Sequence, residues 1–510
     1  MKQLLLSIIR CIGCLSIFLV IVPVAMGAEF HVFNGTTFQD ALDTAAANGE
    51  GDTIYLTVGV YDDCYYYLPE ETEHQDLTIT GEPGTRPEDV ILDGSKWEWS
   101  PPLLIIDYHY DEEYGPEAGL TINGLTIRNG QSEGGAYSGG MDIRMYAYNV
   151  TITNCIIQNN SGKHVGGGFR IETLYGVLVE NNIIIDNTLN ELGVSPRWVY
   201  GGGVFINGVF FGDIVLRNNV IAGNTVNGGT EENMAGGVWI GGYACSAGPS
   251  VYLINNTIYN NTCREAGGGV YFYASRNLYT YNNIIYGNTA AGGGDIYINV
   301  IPDDRVSQAN NYSDFGGDAW SDEWGRINTD PLFVNPSLND YHLQPGSLMI
   351  DWGTTTVHDP PGLPTVDLDG APRLTGSSPD AGAYEFRAVP RPRIRLNGSD
   401  GMIELVTYTD TLRFDLSLDN AGLSNDSDWW LMMISPYGFH YATLSGWTTT
   451  QEPWFQMPLS YVAEFSTYDI PIMGWLPGYY FFFFAVDTVM DGAYTPGSAY
   501  YDYIVMRILE

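Results

Sequence analysis

One short pattern returns along the chain between Gly119 and Ile298, and it limits the folds that this sequence can adopt. Each return reads as an apolar strand, a pair of asparagines, a second apolar strand, an asparagine turn, a glycine run and a third strand. The first asparagine of each pair stands at 154, 181, 218, 255 and 282, and Gly124 takes this place one turn earlier. A second asparagine row lies at 160, 187, 224, 261 and 288, and glycine runs begin at 139, 166, 201, 236, 267 and 292.

These spacings predict a stacked repeat architecture made of β-strands. The pair positions, counted from Gly124, recur at intervals of 30, 27, 37, 37 and 27 residues, with short β-rich strands and no helical periodicity between them. In a parallel β-helix, successive coils stack about 4.8 Å apart, so equivalent turn asparagines lie above one another and can form a hydrogen-bonded ladder. We therefore expect Asn218 and Asn255 to be buried and bonded to neighbouring coils. A propeller or a sandwich with asparagine-rich turns is the alternative.

Five further motifs follow the repeats: Asp330-Pro-Leu-Phe-Val-Asn-Pro, Asp340-Tyr-His-Leu-Gln-Pro-Gly-Ser, Ile350-Asp-Trp-Gly, Asp367-Leu-Asp-Gly-Ala-Pro-Arg and Asp380-Ala-Gly-Ala-Tyr-Glu. Together with the repeats, they make residues 30–386 resemble secreted bacterial right-handed β-helix proteins of the pectate-lyase-like superfamily, in the choice-of-anchor Q group. The resemblance implies a right-handed parallel β-helix and export from the cell. It implies no activity, and the sequence lacks the polygalacturonase and pectin-esterase signatures.

The whole chain is predicted to be an all-β protein in four segments. Residues 1–28 read as a cleaved signal peptide, with Lys2 and Arg10 around the start of a short apolar run, so no transmembrane segment is expected after cleavage. Residues 29–387 form the β-helix, and an amphipathic helix that starts near Thr36 would cover its first coil. Residues 388–393 are a Pro/Arg linker, and the aromatic and alternating runs of residues 394–510 predict a small antiparallel β-sandwich.

Acidic residues outnumber basic ones, with 60 Asp and Glu against 21 Lys and Arg, which gives a net charge of −39. This charge opposes binding to nucleic acid or to an anionic membrane. It suits divalent cations, a saline medium or simple solubility, and Ca²⁺ is the one cofactor expected. Asp367 and Asp369 are the first candidate ligands because both precede a turn glycine, as calcium-loop carboxylates do, although an Asx turn explains them equally.

The cysteines that follow the signal peptide show no metal-ligand spacing. Cys155 takes the second place of an asparagine pair, which predicts a buried thiol. Cys245 and Cys263 both lie in turn insertions and can pair. A secreted or cell-surface location agrees with the signal peptide and with the acidic composition.

The strands that follow the glycine runs carry the candidate site. Aligned, they read Met141-Asp-Ile-Arg, Phe169-Arg-Ile-Glu, Val204-Phe-Ile-Asn, Val238-Trp-Ile-Gly and Val270-Tyr-Phe-Tyr. Their first and third residues are apolar and must face the core, so the second and fourth residues face outwards. One outer column is Asp142, Arg170, Phe205, Trp239 and Tyr271, and the other is Arg144, Glu172, Asn207, Gly241 and Tyr273.

Charges beside aromatic rings on one face are typical of a sugar-binding groove. The predicted catalytic residues are Asp142, Arg144, Arg170 and Glu172, and the predicted substrate-binding residues are Phe205, Trp239, Tyr271 and Tyr273. Asp142 and Glu172, about 8 Å apart, would suit inverting glycoside hydrolysis. A lyase would instead use the carboxylates for Ca²⁺ and an arginine as base. Cross-rung ion pairs with a purely structural role explain the same charges.

Three functions follow from this pattern. The first is a secreted or surface protein that binds polysaccharide or a cell-surface glycan, or mediates adhesion. The alternative is a polysaccharide lyase or glycoside hydrolase that acts on an acidic glycan. The third is a purely structural surface protein.

Overall fold

A computed structural model describes residues 27–509 of the chain, apart from a set of short segments. These are residues 34, 70–74, 97–100, 109–117, 133–137, 146–147, 192–197, 210, 229–231, 243–249, 274–276, 300–303, 309, 313–314, 318–325, 359, 388–389, 406–410, 421–422, 424, 468–469 and 495–498. The predicted signal peptide lies almost entirely outside the described residues, and so does Cys245. No helix in the described part is long and apolar enough to cross a membrane.

Most of the chain winds into coils, and each complete coil gives one strand to each of three parallel sheets, named A, B and C here. Sheet A contains Glu29–Val32, Asp52–Leu56, Leu77–Gly81, Ala118–Asn123, Tyr148–Thr153, Val177–Glu180, Ile214–Arg217, Ser250–Ile254, Asn277–Tyr281 and Asp304–Gln308. Sheet B contains Gly59–Tyr61, Val90–Asp93, Thr126–Arg128, Ile156–Gln158, Ile183–Ile185, Val220–Ala222, Thr257–Tyr259, Ile284–Tyr286, Asn310–Tyr312 and Arg326–Ile327. Sheet C contains Tyr65–Tyr67, Leu104–Tyr108, Met141–Met145, Phe169–Glu172, Val204–Val209, Val238–Gly242, Val270–Tyr273, Ile296–Ile298 and Phe315–Gly317.

Left-handed residues turn the chain at the corner between sheets A and B. The first asparagine of every pair has a positive φ, from 51° at Asn154 to 61° at Asn218, and Gly124 has a φ of 67° in the same position. Asparagine and glycine are the residues that adopt this conformation at least cost. The repeated Asn pair is thus a corner residue followed by a residue whose side chain turns into the coil.

Two internal asparagine ladders run along the coil. In the first, the Asn219 amide donates to the Val179 carbonyl at 2.8 Å and to the Asn256 side chain at 3.0 Å. In the second, the Asn224 amide donates to the Ile184 carbonyl and to the Asn261 side chain, both at 2.9 Å. A ladder is therefore present, as predicted, and its second row is the predicted one. In the pairs, the internal row is formed by the second asparagine, while the first asparagine bonds at the corner, as Asn218 does to Asn181. The same bonds recur along both rows, at Asn182, Asn256, Asn283, Asn160, Asn187 and Asn261.

In its coil, Cys155 stands where the other coils have an asparagine of the first ladder. Its thiol is buried, as predicted. Its backbone N–H donates to the Asn182 side chain at 2.9 Å, so the ladder continues to this coil through the main chain. Cys263 is also a buried free thiol.

An N-terminal helix, Gly35–Ala45, covers the first coil, as predicted. Phe38 and Leu42 are buried, and the Phe38 ring centroid lies 4.5 Å from that of Tyr65. The Gln39 side chain donates to the Tyr66 carbonyl at 2.8 Å and accepts from the Tyr66 N–H at 2.9 Å. The Gln39 side chain thus satisfies backbone groups of Tyr65–Tyr67, the first strand of sheet C, whose outer edge has no neighbouring strand among the described residues.

The closing segment, residues 328–387, folds back over the outside of sheet B. It contains the hairpin of Phe333–Asn335 and Asp340–Leu343 and the 3₁₀ turn Pro336–Leu338. Phe333, Tyr341 and Met349 pack against the outer face of sheet B, on Ile185, Val220, Ala222 and Ile284. The segment also covers the corner asparagines: Asn218 and Asn255 are buried, and Asn255 donates to the Asp380 carbonyl at 2.9 Å.

The C-terminal domain is a sandwich of mostly antiparallel strands. Its smaller sheet contains Arg391–Leu396, Phe414–Asp419 and Val462–Ser466. Its larger sheet contains Ile403–Leu405, Asp426–Ser435, Gly438–Thr443, Gly446–Thr448, Phe455–Pro458, Gly478–Asp487 and Ala499–Ile508. Thr411–Leu412 pairs with Ile470–Pro471. The first strand begins at Arg391, within the segment predicted as a linker.

The C-terminal domain lies against the first coils of sheet B. Met402 and Val505 pack on Ile91, and the Arg86 guanidinium sits 3.2 Å from the centroid of the Tyr503 ring. The closing segment packs on the later coils of sheet B. Together, the C-terminal domain and the closing segment cover most of the outer face of sheet B. Sheet C, which bears the predicted site, lies on a different face of the coil.

Candidate functional site

The register of sheet C places the two predicted columns as expected. Asp142 pairs with Arg170, which pairs with Phe205, and the column continues through Trp239 to Tyr271. The second column runs through the matched residues Arg144, Glu172 and Asn207 and, past a register shift, through Gly241 and Tyr273. Burial of the intervening isoleucines fixes this register, because a slip by one residue would bring charged side chains into the core.

Arg170 holds two carboxylates together. Its guanidinium lies 3.4 Å from an oxygen of Asp142 and 2.5 Å from an oxygen of Glu172. Asp142 is completely buried, and burial raises its pKa to about 6 against the opposing charges of Arg170 and Arg144. Arg144 lies 2.8 Å from Asp107 of the preceding coil. The quartet is therefore part of a chain of ion pairs that crosses three coils.

This arrangement limits what the quartet can do chemically. Asp142 has no surface that a polysaccharide could touch, and Arg170 lies between it and Glu172. An acid and base pair for hydrolysis needs both carboxyl groups to reach the scissile bond. Glu172, Arg144 and Asp107 are partly exposed, so these three are the charged groups that a ligand in solvent can contact.

Three of the four predicted aromatic binding residues are covered. Phe205, Trp239 and Tyr271 expose 5%, 8% and 4% of their surfaces. The residues that cover these rings come from the segments that precede the strands of sheet C. Two of these segments are the short strands Trp198–Tyr200 and Glu232–Met234. The covering residues are Val165, Tyr200, Met234, Ala235 and Ala266. These residues close over the rings, so the column is a small satellite core and offers no open stacking face. Tyr273, which is 42% exposed, is the predicted aromatic residue that faces solvent.

The second column, extended by Asp107 of the preceding coil, forms the accessible part of this face. We call its side chains the outer row: Asp107, Arg144, Glu172, Asn207 and Tyr273, with Gly241 in the coil between the last two. The Trp239 ring extends to the position that Gly241 leaves open between Asn207 and Tyr273. It lies so close to Gly241 that a Cβ atom there would overlap the ring. Asp107 and Tyr273 lie on the first and last of six successive coils. Five spacings of about 4.8 Å between these coils give the row a length of about 24 Å. Apart from the Gly241 coil, each coil in this stretch contributes one side chain that can form hydrogen bonds.

Sequence reasoning missed Asp107 of this row and an exposed aromatic ring, Phe211, on the turn after one strand of sheet C. The strands aligned from the sequence begin at Met141, although Leu104-Ile-Ile-Asp aligns with Met141-Asp-Ile-Arg one coil later. Phe211 is 50% exposed on the turn after sheet C, and its ring stacks on Tyr175 with centroids 5.4 Å apart. The alignment signal for Asp107 was available, but Phe211 lies in a turn of variable length that no periodicity marks.

The predicted calcium ligands have protein partners. Asp367 lies 2.7 Å from the Arg387 guanidinium and accepts a bond from the Ala371 N–H at 2.8 Å. Asp369 lies 2.9 Å from the His342 ring and 3.3 Å from Arg387. Both carboxylates are therefore neutralised within the closing segment. No group of three or more metal-ligating residues was found where the structure is described.

Part of the coiled region matches a known family model. Residues 112–242 match the family model described as a right handed beta helix region. The structure is similar to a pectin methylesterase from Aspergillus niger, with 14% identity, 57% of this chain and 85% of that chain covered, and a TM-score of 0.30. It is also similar to a pectate lyase, with 14% identity, 71% and 97% coverage, and a TM-score of 0.36. No curated protein matches the sequence. The three parallel sheets and the family match together identify the main part of this all-β chain as a right-handed parallel β-helix.

Proposed function

We propose that this protein is exported by a bacterium and binds polysaccharide along the outer row of sheet C, as a binding or adhesive module. One observation carries the proposal: four consecutive coils each present one partly exposed polar side chain in this row, and the row ends, one coil beyond Gly241, at the exposed ring of Tyr273. A polymer of sugars presents hydroxyl groups at regular intervals. A row of regularly spaced side chains can bind such a polymer in an extended form.

The chemistry of the row suits sugar hydroxyls, which both donate and accept hydrogen bonds. Asp107 and Glu172 accept, Arg144 donates, and the Asn207 amide can do both. Tyr273 offers a ring face to the apolar C–H side of a sugar. The bonds of Arg144 to Asp107 and of Arg170 to Glu172 hold these side chains in place, so little side-chain entropy is lost on binding.

Charge favours a neutral polysaccharide over an acidic one. The chain carries a net charge of −39, and the outer row contains two carboxylates against one guanidinium. A polyuronate would approach this surface against electrostatic repulsion. The lyase or hydrolase alternative for an acidic glycan therefore has weaker support, and the burial of Asp142 weakens it further.

Affinity electrophoresis of the mature chain in gels with soluble polysaccharides tests the proposal. We expect retardation by at least one neutral polymer among xylan, mixed-linkage β-glucan and galactomannan, and none by polygalacturonate or alginate. Tyr273→Ala and Arg144→Gln should reduce the retardation. Tyr437→Ala, which removes an exposed tyrosine from a hairpin of the C-terminal domain, is the matched control and should leave it unchanged.

Two results would favour the other functions. New reducing ends or unsaturated products released from polygalacturonate or alginate would indicate the enzyme. The absence of retardation by any polymer would leave a structural surface protein as the best interpretation.

A further inference from the structure

A cleft of about 600 Å³ opens between the first coils of the β-helix and the C-terminal domain. Phe33, Val58 and Val60 line it from the coil side, and Tyr479 and Phe481 line it from the C-terminal domain. Its volume falls in the range of small-molecule sites, and such sites favour the boundary between two domains.

The walls of this cleft present aromatic surface to solvent. Phe33 is 73% exposed, and Tyr479 is 37% exposed. The Tyr479 hydroxyl donates to the Val58 carbonyl at 3.3 Å, which joins the two walls. An exposed ring directly beside a preformed apolar cleft is a feature of ligand sites more than of ordinary surface.

Two opposite charges line the same cleft. Arg507 lies over the Tyr479 ring, 5.5 Å from its centroid, and 3.2 Å from Glu404. Glu82 lies 2.5 Å from the His31 ring. Each contact fixes a charged group in place, and each group keeps further atoms for a ligand, because a guanidinium has five N–H donors and a carboxylate has about four acceptor positions. The cleft thus combines ring faces, a donor and an acceptor without a large excess of either charge.

We propose that this cleft binds one or two sugar units of a neutral glycan. The sugar ring would stack on Phe33 or Tyr479, and its edge hydroxyls would bond to Arg507 and Glu82. Because walls from both parts of the chain are needed, the C-terminal domain takes part in recognition. The proposal shares its ligand class with the proposed function but none of its residues, so either can hold without the other.

Isothermal titration of the mature chain with cellotriose, xylotriose, mannotriose and tri-N-acetylchitotriose tests this site. We expect one of these probes to bind the parent at one site, and Phe33→Ala to weaken that binding about tenfold. Arg507→Gln should weaken it as well. Phe33 is mostly exposed, so its removal should leave the melting midpoint unchanged, and Tyr437→Ala should leave binding unchanged.

The proposal is overturned if none of the four probes binds at millimolar concentration, or if Phe33→Ala binds as the parent does. Loss of binding in Tyr273→Ala with full binding in Phe33→Ala would place the sugar in the outer row. That result would end the cleft proposal and support the proposed function. The reverse pattern would support the cleft and leave the outer row to be decided by the polymer experiment.

Discussion

The guanidinium of Arg373 donates a hydrogen bond to the side-chain oxygen of Asn218, a corner residue that lies 155 positions earlier in the chain. Arg373 is buried, and it also binds Glu385 at 3.0 Å and the Ala383 carbonyl at 2.7 Å. The motif Asp367-Leu-Asp-Gly-Ala-Pro-Arg thus has a structural role: its arginine fastens the closing segment to the asparagine corner of the β-helix.

Replacement of Arg373 by Met should destabilise the protein strongly. The change would leave Glu385 buried without its cation, and loss of one partner from a buried ion pair costs about 3–5 kcal/mol. Urea unfolding followed by tryptophan fluorescence measures the effect. Arg264→Met, at an exposed arginine, is the control and should cost less than about 0.5 kcal/mol. Equal midpoints for the two variants would contradict the role assigned to Arg373.

The internal ladder predicts a second stability difference. Asn219→Ala removes the bonds to Val179 and Asn256 and leaves buried polar atoms unpaired, at a cost of about 1–3 kcal/mol. Asn227→Ala is the matched control, since Asn227 bonds to Asn190 across coils at 3.3 Å but is exposed to water. Thermal unfolding of both variants should show a loss for Asn219→Ala alone. A comparable loss of thermal stability in Asn227→Ala would mean that the destabilisation does not depend on burial of the asparagine.

Trp239 should behave as a packing residue. Its ring lies 4.5 Å from Phe205 and 5.5 Å from Tyr200, and it is almost fully buried. Trp239→Ala should therefore cost about 3–5 kcal/mol in unfolding free energy. Trp198→Ala, at a half-exposed tryptophan, should cost much less. A stable Trp239→Ala variant that loses glycan binding would instead restore this ring as a stacking residue.

His342 should make the stability of the closing segment depend on pH. Burial lowers the pKa of His342, but the charge of Asp369 and the bond with Asp340 outweigh it and raise the pKa to about 9. Since a histidine in an unfolded chain titrates near 6.5, the stabilisation is complete below about pH 6.5 and is lost as the pH rises through 9. Burial raises the pKa of Asp369, yet the His342 charge outweighs it and lowers the pKa to about 2. On the acid side, the stabilisation is therefore complete above about pH 4 and is lost as the pH falls through 2.

The measurement is the unfolding free energy of the parent and of His342→Gln at pH 6 and pH 10. We expect the parent to lose about 1–3 kcal/mol more than the variant between these values. Identical pH dependence in the two proteins would show that folding does not raise the pKa of His342.

Calcium should stabilise the protein through its overall charge. Divalent cations reduce the self-repulsion of a chain with a net charge of −39. Because Arg387 and His342 already bind Asp367 and Asp369, we expect Mg²⁺ to raise the melting midpoint as much as Ca²⁺, in Asp369→Asn as well as in the parent. A rise that is specific to Ca²⁺ and absent from Asp369→Asn would identify this turn as a metal site.

The sequence predicted the coil and the outward columns because each rests on a local rule. Period-two alternation fixes which face Asp142 and Arg170 take, and the positive φ of the corner explains why Gly124 replaces asparagine. These local rules do not predict contacts between segments that are far apart in the sequence. Asn218 is buried, but by Arg373 and Val366 of the closing segment as well as by its neighbouring coil. The cover over Trp239 comes from turn insertions whose lengths follow no repeat, so its burial was not predictable.

The docking of the C-terminal domain brings the two ends of the chain together. The Tyr503 hydroxyl donates to Asp89 at 3.0 Å, and Arg86 lies 3.3 Å from Asp502. A stacked repeat protein holds its coils mainly through nearest neighbours, so it tends to unzip from its terminal repeats. Here the strand Ala499–Ile508 is anchored on the coils that contain Gly59–Tyr61 and Val90–Asp93, so these early repeats can separate only if the C-terminal domain detaches as well. This closure should join the two parts of the chain into a single cooperative unit.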